Sequence, residues 1–296
     1  MSKVLCVGDI MLDVTAVVGA SIKQGVETRA TISTQGGGAA ANVASWLSVS
    51  GTPAHLIARV GDDAAGQTVL AELDKYGVDH SNTIVANANT GVVVVLVDAL
   101  GERTMFPDSG ANSGLSLADL PPLEEITAVY LSGYPLVNPK SREGALEILR
   151  TVKERGLPVI FDPSTVGVLL EVGLNQVREW LALVDVVILN EEEAHFLSGK
   201  NNPVEAAAEL LKKTPLVVIK RGSNGALAQA RGSALVQIPA VDTRVVDTTG
   251  AGDAFAAGFI QAWMKDGEIL DALHGGAALA AQCVAIVGSR PSISGR

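Results

Sequence analysis

Long apolar runs, an excess of cations and clustered metal-binding side chains are all scarce in this 296-residue chain, and each scarcity removes a class of function. Two cysteines, Cys6 and Cys283, stand at opposite ends with no CxxC spacing, and there are four histidines in all; neither a disulfide framework nor a thiolate metal site is expected. Acidic residues outnumber basic ones 32 to 22, and the formal net charge of -10 argues against the positive footprint that nucleic-acid binding requires. The most apolar stretches, such as Val92–Val97, fall far short of the roughly 20 residues that cross a bilayer. Asp9 interrupts the first apolar run before a signal-peptide core forms. The expectation is a soluble, reduced, cytoplasmic protein with no nucleic-acid or membrane partner.

What is present is a chain 48% hydrophobic with 31 glycines, long enough to bury roughly three-quarters of its unfolded surface without covalent staples. A single domain over 1–296 follows. Short β-branched runs at 4–7, 129–132, 159–162, 186–189 and 216–220 read as strands buried on both faces. Ala/Leu-rich segments near 40–50, 63–76, 141–155, 175–183, 191–198 and 204–213 read as helices, with Gly77 and Gly156 as C-terminal caps. The alternation predicts an α/β protein, a three-layer α/β/α sandwich around a mainly parallel sheet. Two segments, 14–33 and 89–106, are extended with no helix between their strands; the second reads as a hairpin of 91–97 and 102–106 around a turn at 98–101. Together they predict a small β lid.

The segment DTTGAGD, from Asp247 to Asp253, runs directly into an Ala-rich apolar helix. The amides of Gly250, Ala251, Gly252 and Asp253 then face outward from a helix N-terminus, which makes an anion site. Asp253 either steadies the helix start against the macrodipole or serves as a base for a hydroxyl proton. This segment resembles the C-terminal signature of the PfkB carbohydrate kinase family, the ribokinase-like sugar and nucleoside kinases. The resemblance continues in GGGAAAN (36–42), ARVGDDAAG (58–66) and NEEE (190–193), and so spans the chain in the family's order.

The resemblance implies the ribokinase-like fold and an ATP-dependent phosphotransferase, with Asp253 as catalytic base and the amides of Gly250, Ala251 and Gly252 holding charge on the transferring group. On the nucleotide side it implies that Asn190 and Glu193 place Mg2+ and phosphate, and that Lys220, Gly222 and Gly225 belong to a loop near the ATP phosphates. As residues alone, Glu191 to Glu193 are also an ordinary acidic first turn, and 220–225 an ordinary hairpin turn. For a monovalent cation, K+ being the option the family leaves open, the matching positions are Asp247, Thr249, Gly288 and Ser292; Asp247 alone is equally a turn cap.

On the acceptor side the resemblance gives Asp13 the sugar hydroxyls, and Asp9 either assists or caps its turn. Asn42 matches another acceptor position, while Gly37 and Gly38 let substrate approach the backbone. Both acids are expected at the carboxyl edge of the main sheet. Arg103 on the second lid strand reaches over the acceptor toward a carboxylate, phosphate or ring edge, with Phe106 and Met105 as apolar cover, or is a solvated strand residue. Tyr134 stacks on a base or is ordinary packing. Three departures bear on the substrate. Ala39 stands where ribokinases carry lysine, no acid occurs at Gly133-Tyr134 where they carry glutamate, and Gly276 replaces an adenine-side asparagine. Sugar and nucleoside acceptors therefore both stay open. Family members often dimerise through their lids, so a homodimer is expected. A catalytically silent binding protein on this fold is the alternative class, and a dinucleotide oxidoreductase lacks its GxGxxG after the first strand.

Overall fold

A computed structural model describes residues 2–19, 22, 24–81, 83–99 and 102–292. Its first strands are β1 (Lys3–Val7), β2 (Met11–Val17), β3 (Thr31–Gly37), β4 (Ala54–Ile57), β5 (Arg59–Gly61), β6 (Asp79–His80), β7 (Thr83–Val85), β8 (Val92–Val97) and β9 (Arg103–Asp108). There follow β10 (Ile126–Ser132), β11 (Val159–Asp162), β12 (Val186–Asn190), β13 (Leu216–Lys220), β14 (Ala226–Ala230) and β15 (Val236–Ile238). The helices are α1 (Ala39–Val49), α2 (Ala64–Tyr76), α3 (Tyr134–Val137), α4 (Arg142–Glu154) and α5 (Val166–Val172), then α6 (Leu174–Leu181), α7 (Glu191–Ser198), α8 (Pro203–Leu210), α9 (Ala251–Asp266) and α10 (Ile269–Val284).

Among the described residues a nine-stranded sheet runs β15-β14-β13-β12-β11-β10-β1-β4-β6, parallel except for β14 and β15 at one edge. β1 is the pivot, pairing with β4 on one side and β10 on the other. The chain builds first toward β6 and later outward from β10, so the order reverses between β1 and β10. Loops leaving the carboxyl ends of those two strands open the crevice where such sheets place ligands.

Period-2 alternation produces the layers. Val4, Cys6, Tyr130, Ile160, Ile188 and Val218 pack with α1, α9 and α10, whereas Leu5, Val7, Leu131, Phe161, Leu189 and Ile219 pack with α4, α6, α7 and α8. α9 and α10 cross so closely that a methyl group at Gly258 would lie 2.2 Å from the Gly275 carbonyl oxygen. The expected strands and helices form, their ends shifted by a turn or less. Short β4 and β6 and the helix α5 were not foreseen, having too few residues to show a period, and neither was the 16-residue α10, whose sequence is mostly Ala, Leu and Gly.

The second sheet has the order β3-β2-β8-β9, with β2 and β8 parallel and the outer pairs antiparallel. It unites two distant pieces of chain, and β8 and β9 form the expected hairpin. Leu100 and Gly101 of its turn lie outside the described residues, as do Ala20, Ser21 and Lys23 of the first piece. Its strands reach further than 14–33 and 89–106, starting at Met11 and continuing to Gly37 and Asp108. Asp13 consequently sits on β2 of the small sheet and not at the edge of the large one, because extended backbone resumes directly after the turn at Asp9 and Ile10.

Candidate active site

A cleft of about 1350 Å³ lies between the carboxyl edge of the large sheet and one face of the small one. On its walls are Asp9, Asp13, Gly38, Asn42, Arg103, Tyr134, Asn190, Glu193, Lys220, Gly222 and Gly225, together with Asp247, Thr249, Gly288 and the run from Gly250 to Asp253. Three expected residues, Gly37, Phe106 and Ser292, are not on these walls.

The run into α9 folds as its sequence requires. Gly250 is the N-cap in the left-handed region (φ 76°), and a side chain there would collide with the Ser289 backbone at 2.6 Å. Gly252 and Asp253 fall in the first turn, where amides have no preceding helical carbonyl to bond. Asp253 Oδ2 accepts a hydrogen bond from Asn42 Nδ2 at 2.8 Å. Burial raises the Asp253 carboxyl to about 7; the Asn42 bond opposes this, Asp162 adds to it and Lys220 offsets part of it. A carboxylate poised there exchanges a proton near neutral pH.

Lys220 ends β13 with Nζ 2.7 Å from Asp162 Oδ2, and a methyl group at Gly252 would stand 3.1 Å from that nitrogen. The ammonium thus lies over the N-terminus of α9, where it adds a full charge to the helix amides. Burial works against its protonation, but Asp162 and Glu193 outweigh burial and raise its pKa. Asn190 and Glu193 form a capping box at α7: the Asn190 side chain accepts from the Glu193 amide at 2.8 Å, and Glu193 accepts from the Asn190 amide at 2.9 Å. The first-turn reading of this motif holds as a cap, and the same residues line the cleft. Burial, then Asp162, lifts Glu193 to about 8, with Lys220 opposing. The turn after Lys220 is a true hairpin, and Gly225 is demanded by φ 82° and by the Ile238 carbonyl 2.0 Å from where a side chain would begin.

At the other end the three glycines before α1 each make room for something different. A side chain at Gly36 would meet the Arg290 guanidinium at 2.1 Å, at Gly37 the Asp13 carboxylate at 2.3 Å, and at Gly38 the Asp9 carbonyl at 2.6 Å. The space at Gly37 is thus filled by Asp13 and not offered to substrate, which corrects the expectation for that residue. Asp9 turns inward, accepting from the Ala39 amide and from Ser132 Oγ, each at 3.2 Å, and so ties α1 to β10. Burial raises its carboxyl. Asp13 is raised by burial to about 6, with Arg290 pulling down and Asp9 and Glu72 pushing up.

Arg103 does not lie free over the acceptor end. Its guanidinium reaches across the cleft to Asp247, Nη2 to Oδ1 at 2.5 Å, and contacts Thr249 Oγ1. The other Asp247 oxygen accepts from the Gly288 amide at 3.0 Å. Burial alone would raise Asp247, but the Gly288 and Thr249 amides and Arg103 hold it down to about 2. Of the four positions matched to a monovalent cation, three come together and Ser292 lines a separate, smaller cavity. Gly288 presents an N–H to Asp247 here, and the Arg103 guanidinium already neutralises that carboxylate.

Phe106 fails by register. On β9 the side chains of Arg103, Met105 and Pro107 face the cleft, so Phe106 points to the opposite, exposed face. Tyr134 lines the cleft on α3. Gly276 sits 3.0 Å, measured from a would-be side chain, from the Phe255 ring; it serves helix packing, and that wall of the cleft is Ala277, Ala280 and Ala281. Two residues were missed by sequence reasoning. Asp162 ends a strand that was expected, and the rule that strand ends face ligands would have found it. Arg290, buried behind Asn42 and Gly37, carries no such local signal.

A model of the pfkB family of carbohydrate kinases matches residues 1–294. An ATP-dependent ribose-1-phosphate kinase of Halopiger xanaduensis is 34% identical over 281 residues, covering 93% of this chain and 89% of its own. A fructokinase of Klebsiella pneumoniae is also 34% identical, over 84% of each chain. Among solved structures, adenosine kinase from Sinorhizobium meliloti superposes with a TM-score of 0.88 over 99% of this chain and 97% of that one, at 24% identity. The fold is the ribokinase-like sandwich, and the chain belongs to the pfkB family of carbohydrate kinases. It is a kinase that phosphorylates a sugar-type hydroxyl at the expense of ATP.

Proposed function

We propose that Asp253 is the general base of this kinase. It takes the acceptor's hydroxyl proton as the new oxygen–phosphorus bond forms and the bond from the γ-phosphorus to the bridging oxygen of ADP breaks. The observation that carries this is the position of Asp253 in the first turn of α9, beside the Lys220 ammonium and the N-terminal amides of that helix, of which Ala251 N–H also donates to the Thr248 carbonyl at 3.3 Å, with its carboxyl near 7. The amides of Gly250, Ala251 and Gly252 and Lys220 stabilise the phosphoryl charge. Asp162, Asn190 and Glu193 face the nucleotide side with oxygens suited to a hydrated Mg2+, whose charge would neutralise the phosphates when bound. The turn at Gly222 and Gly225 borders the same nucleotide.

The acceptor binds beneath the small sheet, its hydroxyls on Asp13 and Asn42, and the sheet serves as a lid that keeps water from the transfer. Arg103, swung from Asp247, is the cation available to an anionic group on the sugar, and the ribose-1-phosphate kinase relative supports such an acceptor. A nucleoside is the second reading, favoured by the apolar Val93, Val95 and Met105 that line the cleft with Tyr134. The chain works in the cytoplasm as a homodimer paired through the outer faces of its lids, where Ile32, Val94 and Phe106 are exposed. No helix among the described residues is long and apolar enough to cross a membrane.

The test is a panel of D-ribose, D-ribose 1-phosphate, D-fructose, 2-dehydro-3-deoxygluconate and adenosine with Mg-ATP, product mass being measured. Asp253→Asn is expected to keep nucleotide binding and lose at least a hundredfold in kcat; an unchanged kcat overturns the base. No product from any acceptor, with ATP bound, would favour a silent binding protein.

A further inference from the structure

Catalysis through Asp253 depends on which end of the Asn42 amide faces it. Nδ2 donates to Asp253 Oδ2 at 2.8 Å. A flipped amide would put Oδ1 against the carboxylate, exchanging an attraction for a repulsion. Nothing within Asn42 prevents the flip, because the two ends have nearly the same shape. The discrimination must come from what lies behind.

Behind Oδ1 lie two donors of the C-terminal segment, Arg290 Nε at 3.2 Å and Ser289 Oγ at 3.3 Å. A hydroxyl can reverse its role, whereas a guanidinium has only donors. Were the amide flipped, its NH2 would face an N–H. Arg290 is itself unable to turn away. Its Nη1 bonds Glu72 Oε2 at 3.0 Å, its Nη2 bonds the Gly37 carbonyl at 2.9 Å, and its Cζ lies 6.0 Å from the Tyr76 ring centre. Glu72 is held in turn by the Gly36 amide at 2.8 Å, and the missing side chain of Gly36 is what admits the guanidinium. Arg290 is 7% exposed, and the Ser289 carbonyl is fixed by Trp46 Nε1 at 2.9 Å.

We infer that Arg290 is a positioning residue for phosphoryl transfer: its fork, pinned on Glu72 and Gly37, orders the Asn42 amide so that its NH2 points at Asp253. This rests on Asp253 being the base. It assigns α2, through Glu72, and the C-terminal segment a part in the reaction although neither touches the reacting atoms. Groups joined in this way act as one unit, so their losses should not add.

The test is a double-mutant cycle, using the panel acceptor that the wild-type chain turns over fastest. Arg290→Met is expected to lower kcat about tenfold with the KM for ATP within twofold, and to cause no further loss in an Asn42→Ala background. Arg290→Lys, which keeps the charge but carries all its donors on one nitrogen and so cannot span the acceptors met by Nε, Nη1 and Nη2, is expected to stay near the Met variant. Should Arg290→Met fail to fold because Glu72 is stranded, Glu72→Gln with Arg290→Met removes both charges and serves in its place. Equal losses in the wild-type and Asn42→Ala backgrounds, or wild-type kcat for Arg290→Lys, would overturn the inference. The base itself is judged separately by Asp253→Asn: if that variant retains turnover the base reading fails, while the cycle still reports whether Arg290 and Asn42 are coupled.

Discussion

Lys220 and Asp162 meet at 2.7 Å across the carboxyl edge of the large sheet, one ending β13 and the other β11. The pair keeps a cation buried beside three acids, Asp162, Glu193 and Asp253. Lys220→Met should lower kcat about a hundredfold, the scale of losing one preorganised charge at a phosphoryl group. It should also lower the melting temperature more at pH 8 than at pH 6, because the stranded acids are then ionised. Melting curves at the two pH values and steady-state kinetics check both.

The carboxyl of Asp253 at about 7, against an ordinary 3.8, has two consequences of opposite sense. As the proposed base, Asp253 must be ionised to work, so kcat/KM should fall tenfold per pH unit below about pH 7. For stability the folded state holds the proton more tightly than the unfolded one. The contribution is fully favourable below about pH 4 and is lost as pH rises through 7. Asp253→Asn should therefore melt a few degrees above the wild type at pH 8 and close to it at pH 4. A wild-type and variant difference that does not change with pH would contradict the buried, raised carboxyl.

The Arg103 contact with Asp247 joins the small sheet to the loop before α9. Its side chain is 29% exposed, so the pair adds little to stability, and Arg103→Ala should shift the melting temperature by no more than about 2 °C. Its effect should be on coupling: more ADP formed per acceptor phosphorylated, because the lid has lost a tie. Potassium chloride, compared with tetramethylammonium chloride, should stimulate the variant more than the wild type, since Asp247 is then without its guanidinium. A ratio of ADP to product unchanged from the wild type would count against the lid role.

Phe106 is 54% exposed on the outer face of the small sheet. Phe106→Lys should convert a dimer to a monomer in sedimentation velocity and leave the KM for ATP within twofold. A wild-type monomer at micromolar concentration would remove the dimer reading altogether.

Much of this was legible because it is local. DTTGAGD announces its own turn and helix start, the Asn190 to Glu193 spacing is that of a capping box, and the central strands are apolar without interruption. Phe106 was given the same face as its neighbour Met105, although successive strand residues point to opposite faces and only Met105 lines the cleft. Gly37 was assigned to substrate because a glycine shows that something comes close but not what; the neighbour is Asp13. Arg290 could not be seen at all. Its partners Gly37, Asn42 and Glu72 lie more than two hundred positions away, and only the return of the chain to α1 after α10 brings them together.

The glycine triplet before α1 divides the cleft into a part that cannot drift and a part that can. Gly36, Gly37 and Gly38 are each pressed against a different neighbour, so a change at any of them displaces Arg290, Asp13 or the Asp9 backbone. The start of α9 is similarly written in backbone at Gly250 and Gly252, pressed against Ser289 and Lys220. The face of the small sheet opposite is written in interchangeable side chains, Val93, Val95 and Met105, on strands whose hydrogen bonds do not depend on them. New acceptor preferences in this lineage should arise by substitution there, one strand position at a time, while the machinery that moves the phosphoryl group is inherited unchanged.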